Sequence, residues 1–122
     1  MVRDRVLIIE EDRRTVDQLQ EHLEVMGYEA EVALSGRIGL AIVTERKMSA
    51  AVLDANVDGG EAWDILRAIK RKDPDLLVVL INGRARKGES RMARRAGATR
   101  FMRSPSDPEK VIHAVHQVLA AD

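Results

Sequence analysis

Three unbroken aliphatic runs constrain this chain most: Val6-Leu7-Ile8-Ile9, Ala50-Ala51-Val52-Leu53 and the six residues from Leu76 to Ile81. A strand with one face in water alternates apolar and polar residues, so runs without alternation fit strands covered on both faces, as in a parallel sheet. Between them the apolar spacing becomes helical. Asp12 is placed to cap a helix carrying Val16, Leu19, Leu23 and Met26, which Gly27 can end. Ile38 to Lys47 reads as a second helix, and a third carries Trp63, Leu66 and Ile69 before Pro74 stops it. A basic fourth helix runs from about Gly88 to Ala96, with Gly97 as its cap. The last begins at Ser106-Asp107-Pro108-Glu109, with proline at the first helical position, and presents Val111, Ile112, Val115, Val118 and Leu119. Two weaker strands complete the pattern: alternating Glu29 to Leu34, suited to a sheet edge, and short Thr99 to Arg103. Five strands each followed by a helix predict an α/β fold, a doubly wound five-stranded parallel sheet with helices on both faces. The 122 residues (1–122) are expected to form one domain.

Composition narrows the chemistry. Trp63, Tyr28 and Phe101 are the only aromatics, so the core must be aliphatic. The absence of cysteine excludes disulfide and thiolate chemistry and is compatible with a reducing compartment. No apolar run approaches the ~18 residues that a membrane span needs, and the expected location is the cytoplasm. The net charge of zero hides a strong asymmetry. Residues 84–103 carry eight basic side chains against Glu89 alone, an excess of +7 that leaves −7 on the remainder.

Ligands of open α/β sheets bind beyond the carboxyl ends of the strands. The residues there are Glu10, Glu11, Asp54, Asn82 and Ser104. Adjacent first and third strands would bring three carboxylates together. Such hard oxygen donors suit Mg²⁺, which takes one or two carboxylates together with waters and a phosphate. No Gly-x-x-x-x-Gly-Lys, Gly-x-Gly-x-x-Gly or nucleophile-elbow sequence points to a nucleotide cradle or a hydrolase. His113 and His116 lack a third ligand nearby in sequence. Arg91, Arg94 and Arg95 admit two readings, a solvated helix face or a docking patch for an acidic protein, a nucleotide or a nucleic-acid backbone. No aromatics interleave them, which disfavours stacking on single strands.

Four segments in order carry a family resemblance: Val6-Leu7-Ile8-Ile9-Glu10-Glu11-Asp12, Gly27-Tyr28-Glu29-Ala30, Ala51-Val52-Leu53-Asp54, and Ala96-Gly97-Ala98-Thr99-Arg100-Phe101-Met102-Arg103-Ser104-Pro105. Together they resemble the receiver domain of two-component response regulators, the CheY-like family. The resemblance implies a flavodoxin-like (βα)5 fold with strand order 2-1-3-4-5. It implies that Asp54 accepts a phosphoryl group from a histidine kinase or phosphotransfer protein. It also implies that Glu10, Glu11, Asp54 and the backbone carbonyl of Asn56 surround Mg²⁺. Phe101 would be the aromatic that changes rotamer, and the fourth helix, fifth strand and fifth helix would form the output face. The domain would then be a signalling module and not an enzyme with turnover on a metabolite. Two phosphoryl-contacting positions depart from the family: Asn82 stands where a Ser or Thr is expected, and Ser104 where a lysine is expected. The loop after Asp54 lacks the usual proline and is about two residues short. Of Arg84 and Arg103, Arg84 is the better placed to stand in for the missing lysine, because Arg103 should point away from Ser104's side of its strand; the other reading of Arg84, which the sequence favours, is a solvated loop arginine. A phosphorylation-independent pseudo-receiver that binds protein is the alternative, and a nucleic-acid or nucleotide binder using the basic helix is a further one.

Overall fold

A computed structural model describes residues 3–57, 62–84, 86–103 and 107–121. In chain order these form β1 (Arg5–Ile9), α1 (Arg13–Val25), β2 (Glu29–Ala33), α2 (Gly36–Glu45), β3 (Ala50–Asp54), α3 (Ala62–Lys72), β4 (Leu77–Ile81), α4 (Glu89–Ala96), β5 (Arg100–Met102) and α5 (Pro108–Ala121). All pairings are parallel, and the sheet order is β2-β1-β3-β4-β5. The doubly wound five-stranded fold expected from the sequence is thus the one observed.

The aliphatic runs are buried because each strand feeds two cores in alternation. Leu7, Ile9, Ala51, Leu53, Val78 and Leu80 pack on one face with Val43 of α2, Ile65, Leu66 and Ile69 of α3, and Ala93 and Ala96 of α4. Val6, Ile8, Ala50, Val52, Val79 and Ile81 pack on the other with Val16, Leu19 and Leu23 of α1 and Val111, Ile112 and Val115 of α5. This period of two later decides which polar residues meet at the strand ends. Trp63 and Phe101 pack, partly buried, against the first core.

Local chemistry sets the element ends, and it moves several of the expected boundaries. Asp12 caps α1 as expected, its Oδ2 accepting from the Thr15 N–H at 3.4 Å and hydroxyl at 2.6 Å. Met26 does not continue the apolar face; it is the C-cap and is exposed, with Gly27 taking the left-handed turn at φ 91°. The second helix starts and ends two residues earlier than its periodicity predicts. Ser35 accepts from the Ile38 N–H at 3.2 Å, and the backbone is extended by Arg46. Leu76, expected in the fourth strand, is buried in the preceding turn, where Lys70 Nζ donates to the Pro74 and Leu76 carbonyls. The fifth strand is shorter than Thr99–Arg103 because the Thr99 hydroxyl, not a backbone carbonyl, takes the Val78 N–H at 3.0 Å. The expected Ser106 cap lies outside the described residues. Asp107 beside it accepts from the Glu109 N–H at 3.0 Å.

One close approach is testable. A Cβ on Gly39 of α2 would lie 2.6 Å from Ile9 Cδ1, and Ile9 is fully buried beneath it. The helix-propensity gain of alanine is about 1 kcal/mol and overpacking costs about 1–3 kcal/mol. Gly39→Ala should therefore destabilise the fold by about 1 kcal/mol in urea unfolding. Adding Ile9→Val removes Cδ1 but keeps Cγ1, 2.8 Å from that Cβ, and should recover only part of that loss.

Candidate functional site

The alternation that builds the two cores also builds the site. In the β1–β3 register Ile9 faces Leu53. One step further, Glu10 and Asp54 stand opposite each other, both with the parity of Val6, Ile8, Ala50 and Val52. The two carboxyls come close enough to share a hydrogen bond. Glu10 is buried at 8% exposure, and its Oε2 accepts the backbone N–H groups of Glu11 at 2.9 Å and Asp12 at 3.3 Å. Burial first, then the hydrogen bond to Asp54 and its negative charge, push the Glu10 carboxyl up to about 7; the two backbone N–H groups pull the other way without prevailing. Asp54 is half-buried. Its Oδ1 accepts the Asn56 N–H at 2.9 Å, and the Asn56 amide Nδ2 lies at 3.5 Å.

The expected trio of carboxylates is therefore a pair. Glu11 has the opposite parity and is exposed. Among the described residues no three His, Cys, Asp or Glu side chains are grouped so as to hold a metal ion. Asn56 is exposed just past Asp54. The loop beyond Val57 lies outside the described residues, as does Ser104.

Asn82 follows Ile81 and so takes the parity of Leu80, facing the α4 side of the sheet. It is one of two buried polar or charged residues among those described, the other being Glu10. Its backbone N–H donates to the Met102 carbonyl at 2.9 Å. Its side-chain Oδ1 accepts from the Arg84 N–H at 3.0 Å, and Nδ2 donates to Glu89 Oε2 at 2.9 Å. Arg84, read either as a stand-in for the lysine or as a solvated loop arginine, is exposed and forms no ion pair among the described residues. Glu89 had no signal in the sequence beyond being the one acid of a basic segment.

On α4, Ala93 and Ala96 pack inward, while Arg91, Met92, Arg94 and Arg95 are exposed. Arg91, Arg94 and Arg95 lie on one face by their three- and four-residue spacing. None of the three is ion-paired among the described residues. Phe101 sits on β5, opposite Leu80 in the register, between the sheet and α4. His116 pairs with the Tyr28 hydroxyl through Nδ1 at 2.6 Å, which gives it a structural partner.

The fold and the strand-end residues define a class: a doubly wound parallel α/β module whose polar site is an acidic pair at the carboxyl ends of adjacent strands. The response regulator receiver domain family model matches residues 6–116, and the chain belongs to that family, a family of signalling modules. It is 27% identical over 110 residues to the photosynthetic apparatus regulatory protein RegA of Cereibacter sphaeroides, covering 90% of this chain and 60% of that protein. It is 25% identical over 112 residues to the acid tolerance regulatory protein ActR of Rhizobium meliloti, covering 92% of this chain and 58% of that one. The chain thus spans about 60% of the length of these curated relatives. Its fold matches a CheY-like receiver domain protein from Methanospirillum hungatei with a TM-score of 0.91 at 24% identity, covering 98% of this chain and 96% of that one. It also matches a Burkholderia pseudomallei response regulator, solved with a phosphorylated aspartic acid, calcium ion and citrate, with a TM-score of 0.83 at 18% identity, covering 97% of this chain and 69% of that one.

Proposed function

We propose that this chain is a cytoplasmic phospho-accepting switch in which Asp54 takes a phosphoryl group from a phosphohistidine of a histidine kinase or phosphotransfer protein. The observation that carries this reading is the pairing of buried Glu10 with Asp54 at the ends of β1 and β3. The Asn56 N–H holds Asp54 Oδ1 and so orients the carboxylate for in-line attack on phosphorus. A P–O bond forms as the P–N bond breaks, and the leaving imidazole keeps the electron pair and takes a proton. The chain does little covalent work beyond this; it positions and stabilises.

A two-carboxylate oxygen site with the exposed Asn56 carbonyl beside it fits Mg²⁺, which retains waters and takes the phosphoryl oxygens. The elevated Glu10 carboxyl fits too, since a cation there would offset the Asp54 charge that helps to raise it. Glu10, Asp54 and the Asn56 carbonyl would hold the ion, with Glu11 able to join only by turning inward. The ion would offset the charge that accumulates on the phosphoryl oxygens. The phosphoaspartate carries about −1.5 to −2 charge. Phe101 and the exposed α4–β5–α5 face would relay it to a downstream protein, with Arg91, Arg94 and Arg95 as the contact for an acidic partner.

Intact mass after incubation with acetyl phosphate tests the reading. A Mg²⁺-dependent adduct that disappears in Asp54→Asn is the expected result. A second reading, the phosphorylation-independent pseudo-receiver, is favoured by one observation: Asn82, the residue at the hydroxyl position, is bonded to Glu89. No adduct at any Mg²⁺ concentration would leave that reading standing.

A further inference from the structure

From the contacts of Asn82 we infer that Glu89 is a positioning residue that acts through Asn82, tying the acceptor end of β4 to the first turn of α4. The inference rests on Asp54 as the acceptor only for its effect on phosphoryl chemistry. The tether itself stands on geometry.

Asn82 is buried, and its two side-chain atoms have opposite demands. Oδ1 faces the Arg84 N–H, which can only donate, and Nδ2 faces the Glu89 carboxylate. The amide satisfies both in one orientation alone, so it is fixed and not free to rotate. A donor bonded to a carboxylate is about twice as strongly held as one on a neutral acceptor. Asn82 is bound at its backbone to β5 through the Met102 carbonyl, and at its side chain to the β4–α4 loop and to α4. A small hydroxyl at this position carries its donor and acceptor on one atom close to the backbone and would lack the reach that the separate Oδ1 and Nδ2 of Asn82 give the bridge. The departure from the family residue and the presence of an acid on α4 are therefore two halves of one device.

The consequence for the acceptor is directional. β3 and β4 pair Asp54 with Ile81, one residue before Asn82. Asn82 lies one step past that partner, on the α4 side of the sheet, so only a phosphoryl group projecting beyond the strand ends would call on its NH₂ as a donor, and that NH₂ would have to turn away from Glu89, which holds it toward α4. Releasing it should favour the adduct. Engaging it on the phosphoryl group should loosen the first turn of the helix that displays Arg91, Arg94 and Arg95.

The test uses the full chain and five proteins: wild type, Glu89→Ala, Glu89→Gln, Asn82→Ala and the Asn82→Ala/Glu89→Ala double variant. The adduct formed from limiting acetyl phosphate with Mg²⁺ is read by intact mass. A hydrogen bond to a charged group is worth about tenfold or more, so Glu89→Ala should raise the adduct level by about tenfold. Glu89→Gln, which keeps an acceptor oxygen, should stay near wild type, and the effect of Glu89→Ala should vanish in the Asn82→Ala background. An equal rise in both backgrounds would mean that Glu89 acts by charge alone and would overturn the inference. The Asn82 side-chain NH₂ signals in the ¹⁵N–¹H spectrum, without phosphate, give a second readout. They should move in Glu89→Ala and hold in Glu89→Gln; no movement also overturns the inference. If no protein forms an adduct while those signals respond, the acceptor reading fails and the tether survives.

Discussion

In an Asp54→Asn variant, the stability that the protein loses between pH 5 and pH 8 should shrink markedly. The folded chain holds the Glu10 carboxyl up to about 7, against an ordinary 4.5. Between those values the folded state keeps a proton that the unfolded state releases. Stability from this group is therefore fully present below about pH 4.5 and is lost as the pH rises through 7. The loss amounts to at most about 3 kcal/mol, and less where solvent reaches the mouth of the site. Burial of Glu10 is the largest cause and stays in the variant. The hydrogen bond and the charge of Asp54 go, while the asparagine oxygen still accepts the Asn56 N–H. Asp54→Asn should accordingly be more stable than wild type by about 1–2 kcal/mol at pH 8, a rise in Tm of several degrees, and nearly equal to it at pH 5. Thermal unfolding at the two pH values checks this. A difference of the same size at both would mean that the Asp54 charge is not what holds Glu10 protonated.

The same alternation explains what the sequence made legible. Runs such as Val6–Ile9 and Leu76–Ile81 announce strands covered on both faces, and their order announces the parallel sheet. The strand ends follow, which is why position alone points to Glu10, Asp54 and Asn82 at the carboxyl ends of β1, β3 and β4. Three things were not legible. Glu11 follows Glu10 in sequence, but a one-residue step turns a side chain to the opposite side, so adjacency in the chain did not become adjacency in space. Helix and strand limits at Gly36 and Arg100 are set by single backbone N–H donations to the Ser35 and Thr99 hydroxyls, which periodicity does not encode. Glu89 was hidden because its role depends on a contact across seven residues between a strand end and a helix start. That contact exists only once α4 packs its alanines on the sheet. The wide charge asymmetry was legible as a sum over residues 84–103, and so was the shared helix face of Arg91, Arg94 and Arg95, which the fold leaves exposed on α4.

At the proposed Mg²⁺ site, acidification should weaken the affinity by a slope approaching tenfold per pH unit below 7, about fiftyfold between pH 7 and pH 5. The physical reason is that the proposed site is shared: the Glu10 carboxyl, raised to about 7, keeps its proton at pH 5, and a cation held by Glu10 and Asp54 would have to displace it. Above pH 7 the proton is already gone and the affinity should level off. Hard-cation sites built from carboxylates that ionise near 4 would level off far lower on the pH scale, so the position of the break reports the Glu10–Asp54 pair itself. Glu10→Gln should abolish the break, because a neutral amide has no proton to lose, and should lower the plateau affinity by removing one of the two anionic ligands. Titration calorimetry in two buffers of different ionisation enthalpy reads the proton directly, with about one released per ion bound at pH 5.5 and almost none at pH 8. A flat affinity across this range would place the ion away from Glu10. The stability argument from Asp54→Asn would stand on its own in that case, since it needs only the two carboxyls. Agreement of the two experiments would mean that proton and cation are alternative occupants of one acidic pair, and that the charge state of the acceptor end is set before any phosphoryl group arrives.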